Sequence, residues 1–379
     1  MKKILFLQHK GSTFGGVWSV NKTLAEEFIK CGYDVTILSV REKFEKKFVP
    51  ENVNTYTINE KELWEVPSKK EIFKEIKKLN FSEGIKKYNS IKKRESDIKK
   101  LKQFILKFKP DYIISSQYQM LDGIPMEYLR KTIHVHHSAF SFAAGNKSTM
   151  NCLYKYNGII TYCWLSKGTL KCAQNAGLKN NIYIYNPVKF TLKEKANVIK
   201  NKKIIALTRL SEEKRLDLMI NIIENIFKDK KYKKWKFEIY GEGQEKKFLE
   251  SKIVNNEQIK IMGRTDNAQE CYLSASINLC TSKYEGFSMS ILEAQECGVP
   301  TISFDFGESA KEQILNKKTG YVIEQNDFEK FKSYLLNIID NPKLLKELSN
   351  NCKINSKNFH PSNVVEKWEK AFQKIDKVG

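Results

Sequence analysis

Apolar residues occur along this chain in two rhythms. Short stretches rich in apolar residues at Ile4–Leu7, Asp34–Val40, Asp111–Ser115, Thr132–His137, Ile159–Cys163 and Ile182–Tyr185 read as strands. Between the first two runs, Val17, Val20, Leu24 and Phe28 fall on one helical face, and Cys31-Gly32 ends that helix. The stretch Thr191–Lys203 is polar and Lys-rich, with little apolar periodicity, and reads as a linker. The alternation then restarts at Ile204–Leu207, followed by a helix carrying Leu216, Ile220, Ile223 and Ile226. Further strands are predicted at Phe237–Tyr240, Ile259–Met262, Ile277–Cys280, Thr301–Phe304 and Tyr321–Ile323. The pattern predicts an α/β protein of two Rossmann-like, doubly wound domains, 1–188 and 204–360, facing across a cleft and joined by residues 189–203. A last amphipathic segment, 361–379, is expected to pack back on the first domain.

Composition adds one feature to this picture. Lys and Arg number 66 against 44 Asp and Glu, for a net charge of +22. Such an excess calls for a polyanionic partner: nucleic acid, an anionic membrane surface or a phosphorylated substrate. An overall bias toward Lys, Asn and Ile accounts for part of it. The excess concentrates in a helical insertion at 61–109, where apolar residues recur at Ile98, Leu101, Ile105 and Phe108. No aromatic-interleaved strand accompanies it, so nucleic acid is not expected. Residues 69–107 are a candidate patch for an anionic membrane surface, and equally a solvated helix face. The eight cysteines contain no CxxC pair and no metal-ligand spacing, the habit of reduced, buried thiols. No run approaches the length needed to span a bilayer, and Ile4–Leu7 is too short for a signal sequence. A cytoplasmic protein, peripheral on the inner face of the plasma membrane, is expected.

Candidate chemistry lies beyond the C-terminal ends of the predicted strands, where open α/β sheets hold ligands. Gly15-Gly16 follow the first strand and permit close approach to the backbone, without the spacing of a dinucleotide fingerprint. His134, His136 and His137 crowd the end of another strand. No Cys, Asp or Glu completes a ligand set beside them, so a polar active-site histidine is expected there and a metal is not. In the second half, Arg209 and Lys214 follow the restart strand, Gly241-Glu242-Gly243 the next, and Arg264 the one after. The stretch TSKYEGFSMSILEAQECGVPTISFD, 281–305, carries Glu285 in a loop and Glu293 two turns into a helix, around a helix N-terminus suited to phosphate. Two cations and a phosphate seat flanked by acids fit a nucleotide-activated sugar whose leaving diphosphate gathers charge.

With these residues in view, the chain resembles the retaining family 4 glycosyltransferases of GT-B fold. The likeness rests on Gly15-Gly16, Asn186-Pro187-Val188, Arg209 with Lys214, Gly241-Glu242-Gly243, Glu285-x7-Glu293 within EGFSMSILEA, Gly298-Val299-Pro300 and Lys318–Val322. It spans both halves and is most similar to bacterial members that build exopolysaccharide, lipopolysaccharide or lipid-linked oligosaccharide. The resemblance implies transfer of a hexose or N-acetylhexosamine from a UDP-linked donor to a glycan or polyprenyl-diphosphate-linked acceptor, without a metal or other cofactor. It implies that Arg209 and Lys214 bind the donor diphosphate, Glu293 the ribose and Glu285 the transferred sugar. Gly286 and the backbone of Phe287, Ser288 and Met289 are then expected at sugar or phosphate. Gly15, Gly16 and Gly241 are expected beside the donor, Arg264 near the base, and His137, with His136 the alternative, as the first domain's catalytic histidine. Gln295-Glu296-Cys297 depart from the family's small apolar residues, which bears on helix packing. A sugar-nucleotide epimerase of the same fold, and a basic nucleic-acid or membrane-binding protein, remain the alternatives.

Overall fold

The computed structural model describes residues 1–11, 15–59, 81–253 and 256–378. Thirteen strands are found among them, in two all-parallel sheets. The first holds β1 (Lys3–Lys10), β2 (Asp34–Arg41), β3 (Asn54–Asn59), β4 (Tyr112–Ser115), β5 (Thr132–Val135), β6 (Thr161–Trp164) and β7 (Asn181–Tyr183), in the order β3-β2-β1-β4-β5-β6-β7. The second holds β8 (Lys203–Leu207), β9 (Lys236–Tyr240), β10 (Ile259–Gly263), β11 (Ile277–Cys280), β12 (Thr301–Phe304) and β13 (Gly320–Ile323), in the order β10-β9-β8-β11-β12-β13. The central strands are largely apolar because helices cover both faces; Ile4 to Leu7 and Ile277 are all fully buried.

Each sheet reverses its strand order once. The reversal falls between β1 and β4 in the first, paired Ile4 to Tyr112, and between β8 and β11 in the second, paired Ile277 to Ile204. Chains leaving the sheet at such a point diverge and leave a crevice. The loops opened there are the glycine loop after β1 and the segments after β8 and β11, which carry Arg209, Lys214 and Glu285.

Three differences from the sequence reading have physical causes. The strand β3 was not expected: its NTYTIN alternates polar residues at the sheet edge, and Tyr56 is half exposed. The polar stretch before β8 contains a helix, Val198–Asn201, and Ala196 and Val198 are buried in the second core. Asn197 caps that helix through its side chain, a local signal inside the Lys-rich run. Of the basic insertion, residues 61–80 lie outside the described residues; the helix Phe81–Phe108 follows. Leu101 and Ile105 are buried against the first domain, and Asn59 donates to the buried Asp97 carboxylate at 3.3 Å.

The helix Pro361–Val378 returns to the first half. Val364, Val365, Trp368 and Phe372 enter the core that holds Ile4, Phe6 and Phe28. Phe372 stacks on Tyr112 with ring centroids 4.0 Å apart, and Asp376 accepts from Lys2 Nζ at 2.7 Å and the Tyr112 hydroxyl at 2.8 Å. The same core takes Phe287 and Leu292 from the second half, so the two halves share apolar packing near the site.

Candidate active site

The site is built where the glycine loop, the turn after β8 and the segment after β11 converge. Gly15, at φ 96, starts the helix Gly16–Lys30 in a conformation open to glycine alone among unstrained residues. A Cβ on Gly16 would stand 3.8 Å from the Met289 side chain, so the first domain's loop touches the start of the helix Met289–Glu296. Gly286 is held more tightly: a Cβ there would lie 2.0 Å from the His137 carbonyl oxygen. The two halves meet backbone to backbone at that point.

Lys214 is 7% exposed, and its ammonium donates to Glu285 Oε1 at 2.6 Å; Ser282 Oγ donates to the same oxygen at 2.8 Å. The sequence reading gave these two residues separate partners, diphosphate and sugar. The structure joins them in one buried ion pair, because β8 and β11 are neighbours and their exit loops run together. Thr281 Oγ1 locks the arrangement by donating to the Lys214 carbonyl at 2.7 Å. A cation fixed in this way opposes developing negative charge without reorganising.

Arg209 stands apart from that pair. Its side chain is 75% exposed and donates to Glu213 Oε1 at 3.0 Å. It lines an interdomain cleft of about 580 Å³, together with Gly15 and Lys22 from one half, Lys189 from the connecting segment, and Gly241 and Arg264 from the other half. Gly241 is required by packing as well: at φ 149, a Cβ would meet the Thr208 carbonyl oxygen at 1.8 Å. Arg264 pairs with Asp266 at 3.1 Å on the cleft wall. Lys22 and Lys189 carried no signal in the sequence, where lysines are everywhere. Lys189 is distinguished only by following Asn186-Pro187-Val188 at the passage between domains.

Glu293 is 6% exposed on the inner face of its helix. Burial pushes its carboxyl up from 4.5 to about 7, against the opposing influence of the Lys189 charge. The Phe287 ring turns into the core, stacking on Tyr185 at 5.3 Å and packing on Phe359. The Ser288 N–H is also taken, donating to Gln313 Oε1 at 2.9 Å, so that group is not an open phosphate donor here. The apolar demand of Phe287 and the amide of Gln313, a residue of a four-residue helix, explain both outcomes. Met289 is partly buried in the same core.

Burial lowers the three histidines of the first domain, His134 and His137 to about 3 and His136 to about 4. His134 Nδ1 donates to the Ser115 carbonyl at 3.1 Å, and its ring lies 6.3 Å from that of His136. His136 packs on Trp164, whereas His137 reaches the domain contact at Gly286. Of the two candidates, His137 stands beside the Glu285 segment. Among the described residues, no group of three or more His, Cys, Asp or Glu is placed to hold a metal ion.

A polar network on the second domain binds the halves together. The Glu312 carboxylate accepts from the Lys167 and Gly168 N–H groups at 3.0 and 2.7 Å and from the Tyr185 hydroxyl at 2.8 Å. Glu296, wholly buried, accepts from Lys353 Nζ, from His360 Nε2 at 2.9 Å and from the Leu192 N–H at 2.7 Å. The unusual Gln295-Glu296 pair thus anchors the interdomain passage: Gln295 Nε2 donates to the Gln313 carbonyl at 2.6 Å and its oxygen accepts from Asn355.

Two doubly wound parallel domains whose switch-point crevices open on a shared cleft give the chain the GT-B fold. Comparison with known proteins points the same way. The model described as "Glycosyl transferases group 1" matches residues 188–358, the span of the second domain. Over 97% of this chain and 99% of its own length, an uncharacterized glycosyltransferase of Haemophilus influenzae is 27% identical. The poly(ribitol-phosphate) alpha-N-acetylglucosaminyltransferase of Staphylococcus aureus is 28% identical over 63% of this chain, which spans 50% of that enzyme. The crystal structure of S. aureus TarM with Fondaparinux, alpha-GlcNAc-glycerol and UDP superposes with a TM-score of 0.76 at 17% identity, covering 98% of this chain and 100% of that one.

Proposed function

We propose that the protein is a retaining, metal-independent glycosyltransferase that moves a hexose or N-acetylhexosamine from a UDP-linked donor to a glycan or polyprenyl-diphosphate-linked acceptor in cell-surface polysaccharide assembly. The observation that carries this reading is the Lys214–Glu285 pair, largely buried at a switch point and next to Gly286, where the second half meets the His137 backbone. The similar enzyme that acts on poly(ribitol-phosphate), and the similar fold crystallised with UDP, support the donor and the class of acceptor.

In this reading the nucleotide lies in the cleft lined by Gly15, Gly241 and Arg264, and its ribose hydroxyls reach Glu293, which is buried outside that lining. Arg209 and Lys214 receive the charge that collects on the diphosphate as the sugar–oxygen bond breaks. Glu285, held by Ser282 and Lys214, faces the transferred sugar. The acceptor hydroxyl enters on the face the diphosphate leaves, and its proton passes to the departing phosphate oxygen, so that configuration is retained. The reading extends to a peripheral position on the inner face of the plasma membrane, supported by the basic helix: Lys99, Lys100, Lys102, Ile85 and Tyr88 are exposed on it, and each Lys near an anionic leaflet contributes about 1 kcal/mol.

The reading is tested first by thermal shift with UDP-, GDP- and ADP-sugars, where the UDP series should stabilise most. Lys214→Ala or Arg209→Ala should lower turnover by about 10²–10³, as for loss of one transition-state electrostatic partner. Near-wild-type turnover in both variants refutes the assignment, and a donor-only incubation that yields free sugar marks an epimerase instead. Turnover surviving a chelator supports metal independence; flotation with anionic but not neutral vesicles supports the membrane placement.

A further inference from the structure

A second cavity, of about 530 Å³, lies beyond the turn that carries Lys214, and the donor reading does not use it. Its lining includes Glu212, Glu213, Arg215, Gln244, Lys283, Tyr284 and Asn326. Tyr284 immediately precedes Glu285 in the chain, so the cavity adjoins the reacting centre. The Tyr284 ring is 39% exposed and meets Phe142 of the first domain, 55% exposed, with ring centroids 6.0 Å apart and planes inclined at 31°. Two exposed aromatic rings, one from each half, therefore stand side by side where the halves meet.

The chemistry of this place is specific. It carries both signs, Glu212 and Glu213 with Arg215 and Lys283, Glu213 being also bonded to Arg209, so no single-sign patch favours a polyanion or a polycation. The Arg215 guanidinium is committed to Gln325 and Asn326. Amide and carboxylate groups beside an aromatic face suit a neutral ligand with hydroxyls around its rim and C–H groups on its face. Aromatic rings carry negative charge on their faces and attract such C–H groups, and a pocket of this volume is of ordinary ligand size. We infer that the Tyr284–Phe142 pair and the adjoining cavity form a binding subsite for a neutral pyranose residue of the acceptor glycan, stacked on the rings next to the sugar to be extended. This rests on the transferase reading and adds a subsite built by both halves.

The test uses the full chain saturated with UDP and a panel of methyl α-glycopyranosides of glucose, galactose and their N-acetylamino forms. Saturation-transfer NMR should show transfer to ring C–H groups of at least one glycoside. Tyr284→Ala and Phe142→Ala should each weaken that glycoside by about three- to tenfold, the range for an aromatic contact. Tyr284→Phe should restore binding, and UDP affinity should be the same in every variant. Glycoside binding undiminished in both alanine variants, or absent in wild type that binds UDP, overturns the subsite. Absence of UDP binding refutes the donor reading instead.

Discussion

Glu293 offers a test that separates burial from ligand chemistry. Its carboxyl is held at about 7 in the folded chain against 4.5 for an ordinary glutamate, and burial is the main cause. A raised carboxyl favours the protonated form, so its contribution to stability is fully present below pH 4.5 and is lost as the pH rises through about 7. At 1.36 kcal/mol per pH unit, the gap amounts to about 3 kcal/mol. Glu293→Gln keeps the shape and carries no charge at any pH. Relative to wild type it should be about 3 kcal/mol more stable at pH 8, with the advantage shrinking to near zero by pH 4.5. Urea unfolding of both proteins across this range measures the difference, in which all other titrating groups cancel. Ribose hydroxyls donate to an ionised carboxylate, so UDP binding to wild type at pH 6 to 7 should also release a proton, detectable as a buffer-dependent calorimetric enthalpy. A stability difference that does not vary with pH refutes the burial argument; proton release absent at pH 6.5 refutes the ribose contact.

Gly286→Ala places a methyl carbon against the His137 carbonyl, which is backbone and cannot rotate away. It should cost about 1–3 kcal/mol of interdomain packing and at least tenfold in transfer, with UDP affinity retained, as read by steady-state kinetics beside UDP titration. His134, neutral at pH 6.5 and lowered to about 3, contributes stability that is present above pH 6.5 and lost as the pH falls toward 3. His134→Asn should remove up to about 1.4 kcal/mol per pH unit from the acid slope of unfolding, whatever its cost at neutral pH. Glu312→Gln weakens two bonds to backbone N–H groups and one to Tyr185, about 1–2 kcal/mol. Hydrogen exchange at Lys167 and Gly168 should quicken, and small-angle scattering should show a more open molecule.

Strands buried on both faces were legible because nothing but an apolar run can occupy such places; Ile4–Leu7 and Ile277–Cys280 are examples. The edge strand β3 was not, since it buries little and its alternation resembles a loop. The glycine turn, the cations and the two acids could be named from their positions after strands. Their pairing could not: Lys214 meets Glu285 only because β8 and β11 lie side by side, and strand order is absent from local pattern. The fate of Phe287 followed from Tyr185 and Phe359, each far away in the chain. Glu312 and Gln313 sit in a helix too short for any periodic signature, yet one joins the halves and the other occupies the Ser288 amide.

The helix Pro361–Val378 makes the second domain a guest inside the first. The chain leaves the first domain at Val188 and comes back at Phe359, where the Val188 N–H donates to the Phe359 carbonyl at 2.8 Å. Lys2 and Asp376 also touch, so the described chain forms almost a closed ring. On a ribosome, the domain begun first is therefore the one completed last. Until Trp368 and Phe372 emerge, Phe28 and Tyr112 lack their partners, while the guest already holds a full core of its own. A stop codon near residue 360 would spare the guest's fold and leave its host with an uncovered apolar face, a form destined for chaperones rather than the cleft.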